Sequence, residues 1–498
     1  MDSVIGARAL QHQEESKESN GEQGERRSFL RCLQRFLLTL RVGDATTNVL
    51  SDDDLREIFY HCCHVNNVTW QCLWDTNWWK PLVHVCRRWR RIVFASPNYL
   101  NLQLLCDNTT PARDSLDVWP PLPIVLSHQR HYPDNEQDLI AALEHPDRII
   151  KILFPAKSDF LLHHLSAFMQ EPLPALTELE LQGQHQLVLP EAFLGGSAPC
   201  LRSCSLARIG FPGLPKLLAS TSQLARLSLY TIPYSGYIPP DAMGSCLATL
   251  PNLDRLIINF DFSFSMSHHR FASPPPPPAR DILPSLTHFE FTGSAEYLEV
   301  LVARFDVPCL YHFVVTFSED LNFIPSQLVR FVSRSERIKE LLRNDRGAEL
   351  DPWSVLMTDE LGGRLELQTS FSILSFRLGP LEQLCDNLSP FLSQVERLRI
   401  RGDPKRQFHS VADVDPRQWL NVLRPFSAVH YLSISKGMAS FIIGALGGLD
   451  RDEHEGVLPE LDCMDFRSLD PRDKEVLDNF ISDRRSYADH KIVVMERL

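Results

Sequence analysis

Leu176-Thr177-Glu178-Leu179-Glu180-Leu181 sets large apolar side chains at its first, fourth and sixth positions, with polar ones between them. The phrase returns along the chain. Clean copies begin at Leu224 (LARLSL), Leu253 (LDRLII), Leu286 (LTHFEF), Val395 (VERLRI) and Val429 (VHYLSI), and looser ones at Ile149, Leu201, Leu310 and Leu461. The last part of each copy alternates in the manner of a strand with one buried face, because successive side chains on a strand point to opposite sides. A single unit of this kind cannot cover its own apolar face, whereas stacked units cover one another. The expected architecture is a parallel ribbon of short strands, one per unit. Its apolar positions turn inward, and the residues between them turn to the open side.

The starts from Ile149 to Leu310 recur at close to the period of leucine-rich repeats, about 20 to 29 residues, and residues 147–498 resemble a degenerate array of that family. Several copies follow a proline, as in Pro174-Ala175-Leu176, Pro251-Asn252-Leu253 and Pro284-Ser285-Leu286. The interval from Leu310 to Val395 leaves room for about three units at that period, with Ile338-x-x-Leu341 and Leu365-x-Leu367 as weak matches. The other architecture compatible with these phrases is a set of separate β–α units in a globular α/β domain.

A second pattern occupies Leu50 to Leu105. Leu55, Ile58, Phe59 and Cys62 fall on one side of a helix that Ser51 is placed to cap, with Asp52, Asp53 and Asp54 in its first turn, where negative charge is favoured. Pro81 suits a first helical position, and Leu82, Val85, Cys86, Trp89, Ile92 and Val93 continue with helical spacing to a stop at Ser96-Pro97. Together Leu50-x-Asp52-Asp53-x-Leu55-x-Glu57-Ile58-Phe59 and Val85-Cys86-Arg87-Arg88-Trp89-Arg90 resemble the F-box, with Ser51 where that family carries proline and a longer, tryptophan-rich middle from His61 to Lys80. The further run Ser96-Pro97 to Cys106, with Trp119-Pro120-Pro121-Leu122-Pro123-Ile124, looks like the F-box proteins abundant in basidiomycete fungi.

The resemblance implies a small all-α unit over residues 27–105 that docks a Skp-type adaptor, and through it a cullin. Leu50, Leu55, Ile58, Phe59, Val85, Cys86, Trp89 and Ile92 are the expected adaptor-binding residues, with Trp89 foremost. The repeat array would then hold a protein substrate for ubiquitin transfer by other subunits, and the chain itself would have no catalytic residue. The alternative is a non-catalytic interaction scaffold in which the F-box-like unit is structural only.

The remaining residues bound this reading. Residues 1–26 are glutamate-rich with few large apolar side chains and read as a disordered tail, followed by an apolar helical stripe at Phe29, Leu30, Leu33, Phe36, Leu37 and Leu40. Residues 106–146 read as a proline-rich connector ending in a short helix from Gln137 to His145. Over the whole chain of 498 residues the hydrophobic fraction is 44% and the formal charge is -13, which favours a folded protein and disfavours nucleic-acid or anionic-membrane partners. The twelve cysteines are scattered in no secretory pattern, so a cytoplasmic or nuclear location is expected. Ser273 to Pro278 reads as a stiff loop between repeats. No phosphate loop or hydrolase signature is present, and Ser433-x-x-Lys436 begins inside a strand phrase. His61-Cys62-Cys63-His64 lacks a second ligand pair, and no metal or cofactor is expected. On the open side of the ribbon, Arg397, Arg399 and Arg401 alternate along one strand and are the candidate substrate contacts, suited to an acidic or phosphorylated peptide.

Overall fold

The computed structural model describes residues 50–65, 78–106, 112–127, 136–154, 169–261, 280–318, 326–344, 346–360, 362–369, 378–402, 415–449, 456–466, 469, 471–487 and 492–496. The expected tail, the apolar stripe at 29–40, the proline run at 274–278 and most of the tryptophan-rich stretch lie outside these residues. The chain divides into two compact units, Met1–Leu104 and Leu105–Leu498. Among the described residues no helix is long and apolar enough to cross a membrane.

In the first unit, the described residues form helices Asp52–Val65, Lys80–Val83 and Arg87–Ala95. The first is closed by a reciprocal cap: the Asp54 backbone N–H donates to Ser51 Oγ at 3.1 Å, while the Ser51 N–H donates to Asp54 Oδ2 at 2.9 Å. The helix expected to run unbroken from Pro81 to Val93 is instead two. Cys86 between them is extended, at φ -159° and ψ 170°, and its Sγ accepts the Trp89 N–H at 3.5 Å. Of the expected stripe, Leu82, Trp89, Ile92 and Val93 are buried, whereas Val85 and Cys86, at the break, are exposed. Phe59 and Trp89 meet edge to face at 4.9 Å, and Trp79 Nε1 donates to the Gln103 carbonyl at 2.9 Å.

The second unit is mixed α/β. Its strands open with β1 (Leu104–Cys106), β2 (Ile124–Ser127), β3 (Ile149–Phe154), β4 (Glu178–Val188), β5 (Ser203–Gly210), β6 (Arg226–Ile232) and β7 (Arg255–Phe260). After the short β8 (Asp281–Ile282) come β9 (His288–Gly293), the short β10 (Phe305–Asp306), which pairs with β8, and β11 (His312–Phe317). Then follow β12 (Gly347–Asp351), β13 (Ser354–Thr358), β14 (Arg364–Thr369), β15 (Arg397–Ile400), β16 (Tyr431–Ile434), β17 (Cys463–Phe466) and β18 (Val493–Glu496). Apart from β8 and β10 these make one 16-stranded sheet, parallel from β2 to β11 and again from β15 to β18. The arrangement is compatible with a leucine-rich-repeat solenoid. Residues 106–146, read as a connector, contribute β2 and the helix Glu136–Leu143 to this unit.

Two in-register apolar ladders hold the ribbon. Leu179, Cys204, Leu227, Leu256, Phe289, Phe313 and Leu365 are successive partners, and Leu181, Leu206, Leu229, Ile258, Phe291, Val315 and Leu367 form the second row. All are buried. Apart from Ile149, which lies on β3 itself, the first apolar residue of each phrase lies two positions before its strand, and several sit in a turn whose N–H reaches three residues back: Leu176 to Leu173, Leu253 to Leu250, Leu310 to Val307 and Leu461 to Leu458. Pro174, Pro251, Pro308 and Pro459 occupy the second position of those turns, where a fixed φ is favourable.

The interval between Leu310 and Val395 departs from the parallel order. There the sheet runs β11-β14-β13-β12-β15, so β13 is antiparallel to both neighbours and the three strands form a meander entered from its far side. Leu365 and Leu367 lie on β14 as expected. Ile338 and Leu341 do not lie on a strand but are buried on the helix Glu336–Asn344, because an apolar-x-x-apolar spacing suits a helical face equally well. Return helices stack beside one another, including Pro240–Leu247 on Ala295–Val302 and Ala439–Leu446 on Pro471–Tyr487.

Candidate interaction surfaces

On the first unit, one carboxylate joins the two halves of the motif. Asp52 Oδ1 accepts from Arg88 Nε at 2.8 Å, and its Oδ2 accepts from Arg91 at 3.1 Å, while Arg88 also donates to the Leu50 carbonyl at 2.6 Å. The arginine contacts hold the Asp52 carboxyl below its ordinary range, and the Ser51 hydrogen bonds do the same for Asp54. Of the expected adaptor-binding residues, Leu55, Phe59, Trp89 and Ile92 are core side chains, with Trp89 only 2% exposed. Trp89 therefore shapes the surface from beneath and does not present its ring to a partner. Leu50 and Ile58 are half-buried, and Val85, at 43%, and Cys86 are exposed. Tyr99, which phrase reading passed over, is also exposed; it stacks on Tyr60 at 4.9 Å and donates to Glu57 Oε1 at 2.6 Å.

On the second unit, the less buried face of the sheet carries the polar positions of the phrases. Glu178, Glu180 and Gln182 lie along β4, Arg226, Ser228 and Tyr230 along β6, and Arg397 and Arg399 along β15 with Arg401 just beyond. The three arginines are exposed. Arg399 and Arg401 converge on one carboxylate, Glu349 of β12, at 3.1 and 2.7 Å. Beside them is a hollow of ≈ 240 Å³ lined by residues that include Gly347, Glu349, Leu356, Arg397, Arg399 and Tyr431. Gly347 is paired directly with Arg397. The Tyr431 hydroxyl is oriented by the buried Asp465, donating to its Oδ2 at 2.6 Å.

A second polar group lies in the middle of the sheet. His288 and His312 are register partners whose rings stack at 4.9 Å and 27°. Arg255 on one side donates to Glu290 at 2.8 Å, and Arg364 on the other donates through Nε to Glu366 at 2.7 Å. Gln368 also donates to Glu366, which is 6% exposed. These histidines are not among the expected site residues, yet the sequence carries their signal: LTHFEF from Leu286 and LYHFVV from Leu310, aligned on their first residues, superpose His288 on His312.

No family model and no curated protein matches the chain. Among solved structures it is similar to a leucine-rich repeat-containing protein from Legionella pneumophila, at 12% identity and a TM-score of 0.25, over 67% of this chain and 96% of that one. It is also similar to a leucine-rich repeat protein from Leptospira interrogans, at 12% identity and a TM-score of 0.25, over 75% and 89% of the respective chains.

Proposed function

We propose that the chain is a non-catalytic recognition subunit of a Skp-cullin-F-box-type ubiquitin ligase, acting in the cytoplasm or nucleus. The helical unit docks a Skp-type adaptor, and through it a cullin. The open face of the ribbon holds the protein target. The observation that carries this reading is the closure of the two motif halves on each other through Asp52 with Arg88 and Arg91, and Phe59 with Trp89, beside an exposed Val85 and Cys86. Val85, an apolar side chain at 43% exposure, is accessible to a partner there.

The test is capture of a purified Skp adaptor by the full chain. Val85→Glu, which lies outside the core, should weaken capture by roughly tenfold or more with an unchanged melting curve. Undiminished capture by that variant would remove Val85 from the docking surface. No capture by a folded native chain would leave the scaffold reading, in which the helical unit is structural only. For the target, the hollow beside Arg397, Arg399 and Arg401 suits an acidic or phosphorylated side chain, because two of these cations share one carboxylate. Arg397→Glu, Arg399→Glu and Arg401→Glu together should remove captured targets but not the adaptor.

A further inference from the structure

The first open-face positions of β6, β7, β9, β11 and β14 are Arg226, Arg255, His288, His312 and Arg364, each paired in register with the next. At about 4.8 Å per strand this row of basic groups is roughly 19 Å long. The stacked histidines occupy its centre. Around them stand three carboxylates: Glu290, Glu366 and Asp254. The last is reached through Thr287, whose Oγ1 donates to Asp254 Oδ1 at 2.5 Å and lies 2.8 Å from His288 Nδ1.

Charge then depends on pH in a defined way. With both imidazoles neutral, Arg226, Arg255 and Arg364 balance Asp254, Glu290 and Glu366. Protonating both imidazoles adds two positive charges to a row that was balanced. We propose that this row is a docking track for a carboxylate-rich peptide segment, engaged when His288 and His312 take up protons. The proposal deepens the reading of the open face as the target-binding surface and is independent of the adaptor. Burial, then Arg255 beside His288 and His288 beside His312, holds both imidazoles below the ordinary histidine range, so the free track carries no net charge at neutral pH. An anionic segment laid over them reverses that preference, and binding and protonation reinforce each other. A peptide is favoured over nucleic acid by the net charge of -13, which repels an extended polyanion beyond the track itself.

The experiment titrates the full chain against fluorescein-labelled oligoglutamate by anisotropy, with oligoglutamine and oligodeoxythymidylate as controls. Lowering the pH from about 7.5 to about 5.5 should tighten oligoglutamate binding roughly tenfold, while that peptide stays ionised. His288→Gln with His312→Gln should abolish the gain. Glu290→Gln, which removes a negative charge from the track, should tighten binding at the higher pH and decides the matter if the double variant fails to fold. A pH gain that survives the double variant, no gain at all, or preference for the oligonucleotide overturns the proposal. So does loss of oligoglutamate binding on reversing Arg397, Arg399 and Arg401 alone, which would place the peptide in the hollow instead. Adaptor capture is scored separately, so failure of either reading leaves the other standing.

Discussion

Ser51 and Asp54 exchange two hydrogen bonds across the first turn of their helix, and the helix carries Leu55 and Phe59 into the core of its unit. Ser51→Ala leaves the Asp54 N–H with no side-chain acceptor at that end and should cost about 1 kcal/mol, read from the urea midpoint of the helical unit's circular dichroism. On the ribbon, the histidine pair makes stability fall in acid. Both imidazoles titrate below the ordinary value of 6.5 in the folded chain, so the unfolded chain binds protons more readily. The stability they contribute is present above about pH 6.5 and is lost as pH falls through their folded values. His288→Gln with His312→Gln should flatten the dependence of the urea midpoint on pH in that window. A second loss should begin lower, as Asp52 and Asp54, held below the ordinary aspartate value of 3.8, are protonated. Individual residues were unevenly legible. The polar positions Arg397, Arg399 and Arg401 could be placed on the open side from alternation alone, but Glu349, the carboxylate that Arg399 and Arg401 share, could not, because it comes from a strand that no phrase announces.

At the scale of the element, the turn before each strand does two tasks. It sinks one apolar side chain, such as Leu253 at 1% exposure, and it fixes the point at which alternation starts. Leu253→Ala should cost about 2–5 kcal/mol and Pro251→Ala about 0.4–1 kcal/mol, the first through a cavity and the second through greater freedom of the unfolded chain. Chemical denaturation of the two variants should rank them in that order. This turn is why strands such as β4, β7 and β9 were legible: a buried residue at a fixed offset from an alternating pair is specific. Other elements lacked that signature. The four residues of β2 are all buried, so they show no alternation, and the segment around them read as a connector. The apolar spacing of Leu82, Val85, Cys86 and Trp89 hid a helix break, because residue type alone does not show that Val85 and Cys86 are exposed and Cys86 extended.

Over the whole second unit, the sheet ends on a strand unlike the others. The side chains of β18 are all exposed, including Val493, Val494 and Met495, whereas β17 is buried at Met464, Asp465 and Phe466. Backbone amides of β18 should exchange with deuterium before those of β16 and β17, and the slowest amides should lie in β5 to β9, where two buried ladders run without interruption. Repetition made the parallel part of this unit readable from the phrases. The meander escaped because nothing in β12 or β13 repeats, and a reversed strand leaves no mark on the period of its neighbours.

That reversal sets a timetable for the nascent chain. As the ribosome releases β3, β4, β5, β6, β7, β9 and β11, each arrives next to a strand already made and can be added at once. The following strand, β12, emerges with its place still empty, since its neighbours β13 and β15 are both yet to be translated. Until Arg364 to Thr369 has been synthesised, the hydrogen-bonding edge of β11 stays open. A ribosome stalled just past Asp351 would thus hold a growing sheet with a bare edge and a loose strand beside it. Of all the points in the synthesis of the array, that is where a chaperone has the most to shield.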